Sequence, residues 1–161
     1  MTSSAHPHPI NPQAAQNYLR TRVMTATPEQ LQMMLYDGAL RFAEQAKAAL
    51  QKKDYEGTFN GISRVQKILS ELTSTLKHDV APELCGKLAA LYTYVYKKLI
   101  EANVDHNMRS LEEAIDLLRY QRETWSMLLD QLGKSKAASV AQKIAVPAPS
   151  ARMEAKISMQ G

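Results

Sequence analysis

The chain has one cysteine, Cys85, so it cannot close an internal disulfide, as suits a reducing compartment. Only 6 glycines fall among 161 residues, which argues against a loop-rich all-β fold. Long hydrophobic runs are missing as well. The longest uncharged, largely apolar stretch near the centre, Leu88 to Tyr96, falls far short of the ~20 residues of a membrane helix. No apolar stretch precedes the first charge, Arg20, so the start does not read as a signal peptide. The expectation is a soluble cytoplasmic protein without membrane insertion. No Glu is followed three residues later by His, which excludes the Glu-x-x-His pairs of a metal-carrying helical bundle. His6 and His8 sit in a Pro-rich arm, and His78 and His106 in turns. A Gly-rich phosphate loop, a Gly-x-Ser-x-Gly turn and a distinct carboxylate pair are all lacking. Cys85 has neither a second cysteine nor an identifiable catalytic His. The sequence therefore gives no reason to expect an enzyme, a cofactor or a metal.

What is present is apolar residue at helical spacing. Hydrophobic residues make up 45% of the chain, enough for a core. The net charge of +4 is carried by the tail, where Lys134, Lys136, Lys143, Arg152 and Lys156 face only Glu154. Residues 1–133 are net neutral, a poor electrostatic footprint for nucleic acid, which is not expected as a partner. A nucleic-acid-binding bundle using the tail stays as an alternative. So does a tail that only solubilises or touches a protein partner.

Four helices are predicted. Thr27 is an N-cap, Pro28 suits the first helical position and Gln30 completes a capping box. The first helix then runs to about Lys52, with Leu31, Met34, Leu35, Ala39, Phe42, Ala46 and Ala49 on one face. Asp54 caps the second, which carries Ile62, Val65, Ile68, Leu69, Leu72 and Leu76. The third starts at Pro82 after the break at His78–Ala81 and reaches about Asn103, with Leu84, Leu88, Leu91, Tyr92, Val95 and Leu99 on one side. The fourth follows a turn at 103–107, carries Leu111, Ala114, Ile115, Leu118, Trp125, Leu128, Leu129 and Leu132, and stops at Gly133. The expected fold is all-α, an antiparallel up-down-up-down four-helix bundle over 28–133. Residues 1–27 form an N-terminal arm or cap segment, with 1–17 disordered. Residues 134–161 form a flexible basic tail, with a helix over 137–145 left open.

Two helices have more apolar surface than one core stripe needs. Met33, Tyr36, Leu40 and Ala43 fall opposite the main stripe of the first, and Tyr94, Tyr96 and Ile100 lie outside that of the third. Such surplus suggests a partner helix lying in a groove. The alternative is that these side chains are core. Gly57 and Gly61, four apart, allow close backbone approach or mark a frayed helix start.

The segment Tyr18 to Gly38, with Thr-Ala-Thr-Pro before Met-Leu-Tyr-Asp-Gly, resembles the opening signature of the FliS family of flagellin export chaperones. Arg64–Leu72, Leu88–Asn103 and Leu117–Trp125 resemble the family's later helices in order, with Thr124 where Ala is usual. The resemblance covers about Tyr18 to Leu132. It implies an ATP-independent cytoplasmic chaperone that holds the disordered C-terminal segment of flagellin, prevents premature polymerisation and supports type III flagellar export. It leaves open an export-gate component or co-chaperone as further partner, and a homodimer when unliganded. A helical adaptor or regulator binding other flagellar export proteins is the alternative. The groove is expected around Ile62, Val65, Leu69, Leu72, Leu88, Leu91, Tyr92 and Val95. One stripe cannot face both partner and core, so each is equally a core candidate. Tyr18, isolated before the first cap, corresponds to a family segment that can fold over the apolar surface until the client displaces it. The alternative is a Tyr that staples the arm permanently.

Overall fold

The computed structural model describes Pro9 and residues 11–144. Among these residues there are five α-helices and no strand: α1 Pro12–Thr25, α2 Pro28–Gln51, α3 Tyr55–Ser74, α4 Pro82–Val104 and α5 Met108–Ile144. No helix among them is long and apolar enough to cross a membrane. The chain divides into two compact units, residues 1–125 and 126–161.

Local chemistry sets the boundaries. At α2 the Thr27 hydroxyl accepts from the Gln30 N–H at 3.2 Å, and the Gln30 side chain accepts from the Thr27 N–H at 3.0 Å. Two otherwise unpaired backbone donors are thus satisfied reciprocally. Asp54 caps α3 by accepting from Gly57 N at 3.0 Å, and Asn107 caps the start of α5 by accepting from Ser110 N at 3.1 Å. The turns before α3 and α5 use left-handed residues, Lys53 (φ 58) and His106 (φ 51), and the rings of Tyr55 and His106 stack at 3.8 Å.

The core of the first unit is built from α2, α3, α4 and the first part of α5. Tyr36, Ala39, Ala43, Ala46, Ile62, Val65, Leu69, Leu72, Tyr92, Val95, Leu99, Leu111 and Leu118 are buried in one cluster. Burying a Leu, Ile or Val side chain contributes about 1.5–3 kcal/mol, so this cluster holds the four helices together. Gly61 is where α3 comes nearest α2: a Cβ there would lie 2.8 Å from Ala46 Cβ and 2.9 Å from the Phe42 carbonyl. Its reading as a frayed start fails, because Gly61 is a buried close-approach point inside α3. Across the core, the Tyr36 and Tyr92 hydroxyls meet at 2.6 Å. On the surface, Arg122 and Arg119 of α5 pair with Asp37 and Glu44 of α2 at 2.6 and 3.1 Å, and Lys47 faces Glu112 at 3.6 Å. Tyr94 of α4 donates to Glu113 of α5.

Two sequence expectations need correction. Residues 12–17, expected in a disordered arm, belong to α1. Its start signal is Asn11, whose side chain accepts from Gln13 N at 3.0 Å, followed by Pro12 in the first turn. Gly133 does not end α5, which continues to Ile144. Gly133 keeps negative φ, and the Lys, Ala, Ser and Gln that follow are adequate to good helix formers, enough to offset about 1 kcal/mol for one internal glycine. The rest of the expected tail, 145–161, and the arm residues 1–8 and 10 lie outside the described residues.

Candidate functional site

An apolar groove of about 690 Å³ lies between α1, α2 and α3 and reaches Trp125 of α5. Its apolar lining is Leu31, Met34, Leu35 and Phe42 of α2, Ile68 of α3, and Trp125. Gly38 forms part of the floor, where a Cβ would meet Ile68 Cδ1 at 3.4 Å. Trp125 is fixed in place because its indole N–H donates to the Glu29 carbonyl at 3.0 Å. Leu19 and Val23 of α1 complete the lining, yet they remain 50% and 42% exposed, and α1 has no buried residue. The helix that contributes to this groove is therefore lightly held.

Polar groups sit at the rim: Glu29, Gln32, Arg41, Glu71, Thr75 and Lys77. The guanidinium groups of Arg41 and of Arg64 each lie 5.0 Å from the centre of the Phe42 ring. A cation over an aromatic face is attracted by the ring quadrupole, which orders both long side chains. Next to the groove, hydrogen bonding to the Asp37 carboxylate raises the Arg122 pKa above its already high usual value. Among the described residues no cluster of His, Cys, Asp or Glu could hold a metal ion. What the groove can do is bury apolar side chains of another segment.

Most residues expected to form the groove do not line it. Ile62, Val65, Leu69, Leu72, Tyr92 and Val95 are at most 2% exposed and sit in the core, where no partner reaches them in this conformation. Leu88 is half-buried against that core, and Leu91 is half-buried too; neither lines the groove. Tyr18 is on α1 but 67% exposed, with Arg22 6.0 Å from its ring centre; its neighbours Leu19 and Val23 reach the groove instead. The physical reason is that α2 bears two apolar faces and the inner one is the smaller. Tyr36 and Ala43, read as surplus, are core, whereas Leu31, Met34, Leu35 and Phe42, read as the core stripe, line the groove. The usable signal was size. Ala46 lets α3 approach at Gly61 and Ala49 lies against Gly57; Ala39 and Ala43 are buried on the same inner face, and the bulky side chains are left on the other face. On α4 the surplus apolar side chains Tyr94, Tyr96 and Ile100 are exposed, as their place outside the core stripe implies.

Comparison with known proteins bears on this arrangement. The family model described as flagellar protein FliS matches residues 11–132. The chain belongs to the FliS family. Relatives include the flagellar secretion chaperone FliS of Bacillus subtilis, 32% identical over 80% of this chain and 94% of its own length. The FliS of Escherichia coli is 30% identical over 69% of this chain and 82% of its own length. A solved bacterial flagellar chaperone shares the fold with a TM-score of 0.61 at 18% identity, over 74% of this chain and 97% of its own. The FliS match takes in α1 to α4 and α5 through the groove residue Trp125, so the whole groove lies within it.

Proposed function

We propose that this FliS-family chain is a cytoplasmic, ATP-independent chaperone for flagellin. It binds the disordered C-terminal segment of the subunit as an amphipathic helix, keeps subunits from polymerising early and supports their type III export. The observation that carries the reading is the groove, whose apolar lining of Leu31, Met34, Leu35, Phe42, Ile68 and Trp125 is only half-buried beneath a lightly held α1. A client helix laying its apolar stripe there would lose the surface through which it self-associates. Stable interfaces bury about 800 Å² on each partner, so the client must extend beyond the groove itself. Ordering a disordered segment costs on the order of 2–5 kcal/mol or more, which leaves binding reversible without nucleotide hydrolysis.

The architecture that frames the groove is, on this reading, an antiparallel four-helix bundle of α2 to α5. Its support is the order of the contacts. Glu29, Asp37, Glu44 and Lys47, ascending along α2, meet Trp125, Arg122, Arg119 and Glu112, descending along α5. Gly38, Phe42 and Ala49 of α2 likewise lie against Ile68, Gly61 and Gly57 of α3. Short connections between long helices favour the same arrangement.

The test is calorimetric titration of the full chain with a peptide of the C-terminal segment of the same organism's flagellin. Saturable one-to-one binding with a negative heat-capacity change, lost in a Leu35→Asp variant that stays folded, is the expected result. Absence of binding to the full chain would overturn the reading.

A further inference from the structure

We propose that Arg41 and Arg64, stacked on Phe42 at one end of the groove, form a carboxylate-reading clamp that selects a client helix bearing an acidic side chain beside its apolar stripe. The inference rests on the groove being the client site.

Three observations carry it. Both guanidinium groups lie 5.0 Å from the Phe42 ring centre, one contributed by α2 and one by α3. They are held on an apolar platform that is itself part of the groove wall. Second, neither meets a carboxylate among the described residues, whereas Arg119 and Arg122 on α5 are each paired with acids of α2. The clamp therefore holds two like charges near one ring with no counter-ion among the described residues. Third, α1 cannot supply one. Its charged residues are Arg20 and Arg22, so the segment that lies over the groove matches its apolar lining and not this end of it.

Charge along the groove is graded. The acidic rim groups are Glu29, at the start of α2, and Glu71, one turn beyond Ile68 on α3, with Lys77 further on. At the Arg41–Arg64 end the nearest acids of α2, Asp37 and Glu44, are taken up by Arg122 and Arg119, and neither Arg41 nor Arg64 makes an ion pair among the described residues. A carboxylate there would accept charge-assisted hydrogen bonds from two pre-ordered donors. An acid on the client would also fix which way the helix lies, since the same acid at the other end would face Glu29 and Glu71. The partner is thus an amphipathic helix with an acidic side chain toward one end, and a helix of equal apolarity without it binds less well.

The experiment uses the full chain, the flagellin C-terminal peptide, and the same peptide with every Asp and Glu replaced by Asn and Gln. Binding of both is measured to the wild type, to Arg41→Gln/Arg64→Gln and to Leu35→Asp, with folding checked by circular dichroism. The double Arg variant is expected to weaken the natural peptide roughly fivefold to tenfold, the range of two partly screened charge-assisted pairs. The charge-stripped peptide should bind wild type and double variant alike, and the difference for the natural peptide should shrink as salt rises. If the double variant weakens both peptides equally, or neither, while Leu35→Asp abolishes binding, the clamp is wrong and the groove reading stands. If the natural peptide binds Leu35→Asp as it binds the wild type, or does not bind the wild type, the groove reading itself falls.

Discussion

Tyr36 and Tyr92 bring two hydroxyl groups into an interior otherwise made almost wholly of hydrocarbon. Each is 2% exposed, and each satisfies the other at 2.6 Å. Removing one leaves its partner buried without a hydrogen bond, which costs about 1–3 kcal/mol, while removing both can be nearly neutral. Tyr36→Phe and Tyr92→Phe should therefore each destabilise measurably in urea, and the double variant should recover most of the loss. Equal additive losses would show that the pair is not coupled. Burial, and then the bond to Tyr36, push the Tyr92 phenol pKa far above its usual value. Above about pH 10 the unfolded chain releases that proton and the folded chain keeps it, so stability falls as pH rises through the ordinary tyrosine range. Stability against pH, followed by chemical denaturation, should decline less steeply above that range in the double Phe variant. Glycines separate in the same way. Gly61→Ala places a Cβ 2.8 Å from Ala46 Cβ and 2.9 Å from a backbone oxygen, so α2 and α3 must part, at about 1–3 kcal/mol. Gly86→Ala in α4 meets nothing within 4 Å and should gain up to about 1 kcal/mol of helix stability. Thermal melts of the two variants should move in opposite directions.

At the scale of elements, four helices were legible because their ends carry strong local chemistry. Thr27-Pro28-Glu29-Gln30, Asp54 and the break before Pro82 each act through bonds within three or four residues, so the sequence contains the whole interaction. Thr27→Ala should on this account destabilise the protein by about 1 kcal/mol, read from the midpoint of urea unfolding, and an unchanged midpoint would mean that packing alone sets the start of α2. The first helix is not legible from periodicity because it buries nothing, so no apolar stripe announces it, although Asn11-Pro12 is a start signal of the same kind as Thr27-Pro28. Gly133 misled for the converse reason: glycine ends a helix only when it adopts left-handed backbone, and here it does not. The groove was legible as surplus apolar surface and illegible as residues. Periodicity says that α2 has two apolar faces; which of them turns inward depends on Gly61 in another helix, a long-range packing fact.

For the whole molecule, the question is whether α1 regulates access to the groove. Only Leu19 and Val23 of α1 line it, each about half-exposed. Half-burial of a Leu and a Val contributes together about 2 kcal/mol gross. A helix as short as α1 is marginal in water by itself, so the entropy of ordering it offsets part of that gain. The remaining preference for the covered state is small, and a cover with so small a preference taxes client binding without preventing it. Apparent affinity is lowered by the fraction of molecules whose groove is covered. Deleting residues 1–24 leaves the Thr27 capping box intact and removes both lining side chains, so it should tighten binding of the flagellin C-terminal peptide by up to about tenfold, or speed its association. The double variant Leu19→Ser/Val23→Ser should do most of the same while keeping the chain length. If deletion leaves affinity and rate unchanged, α1 does not compete with the client. If binding weakens, α1 is part of the client's own seat, and the lightly held helix is waiting for a partner to pack against rather than for one to displace it.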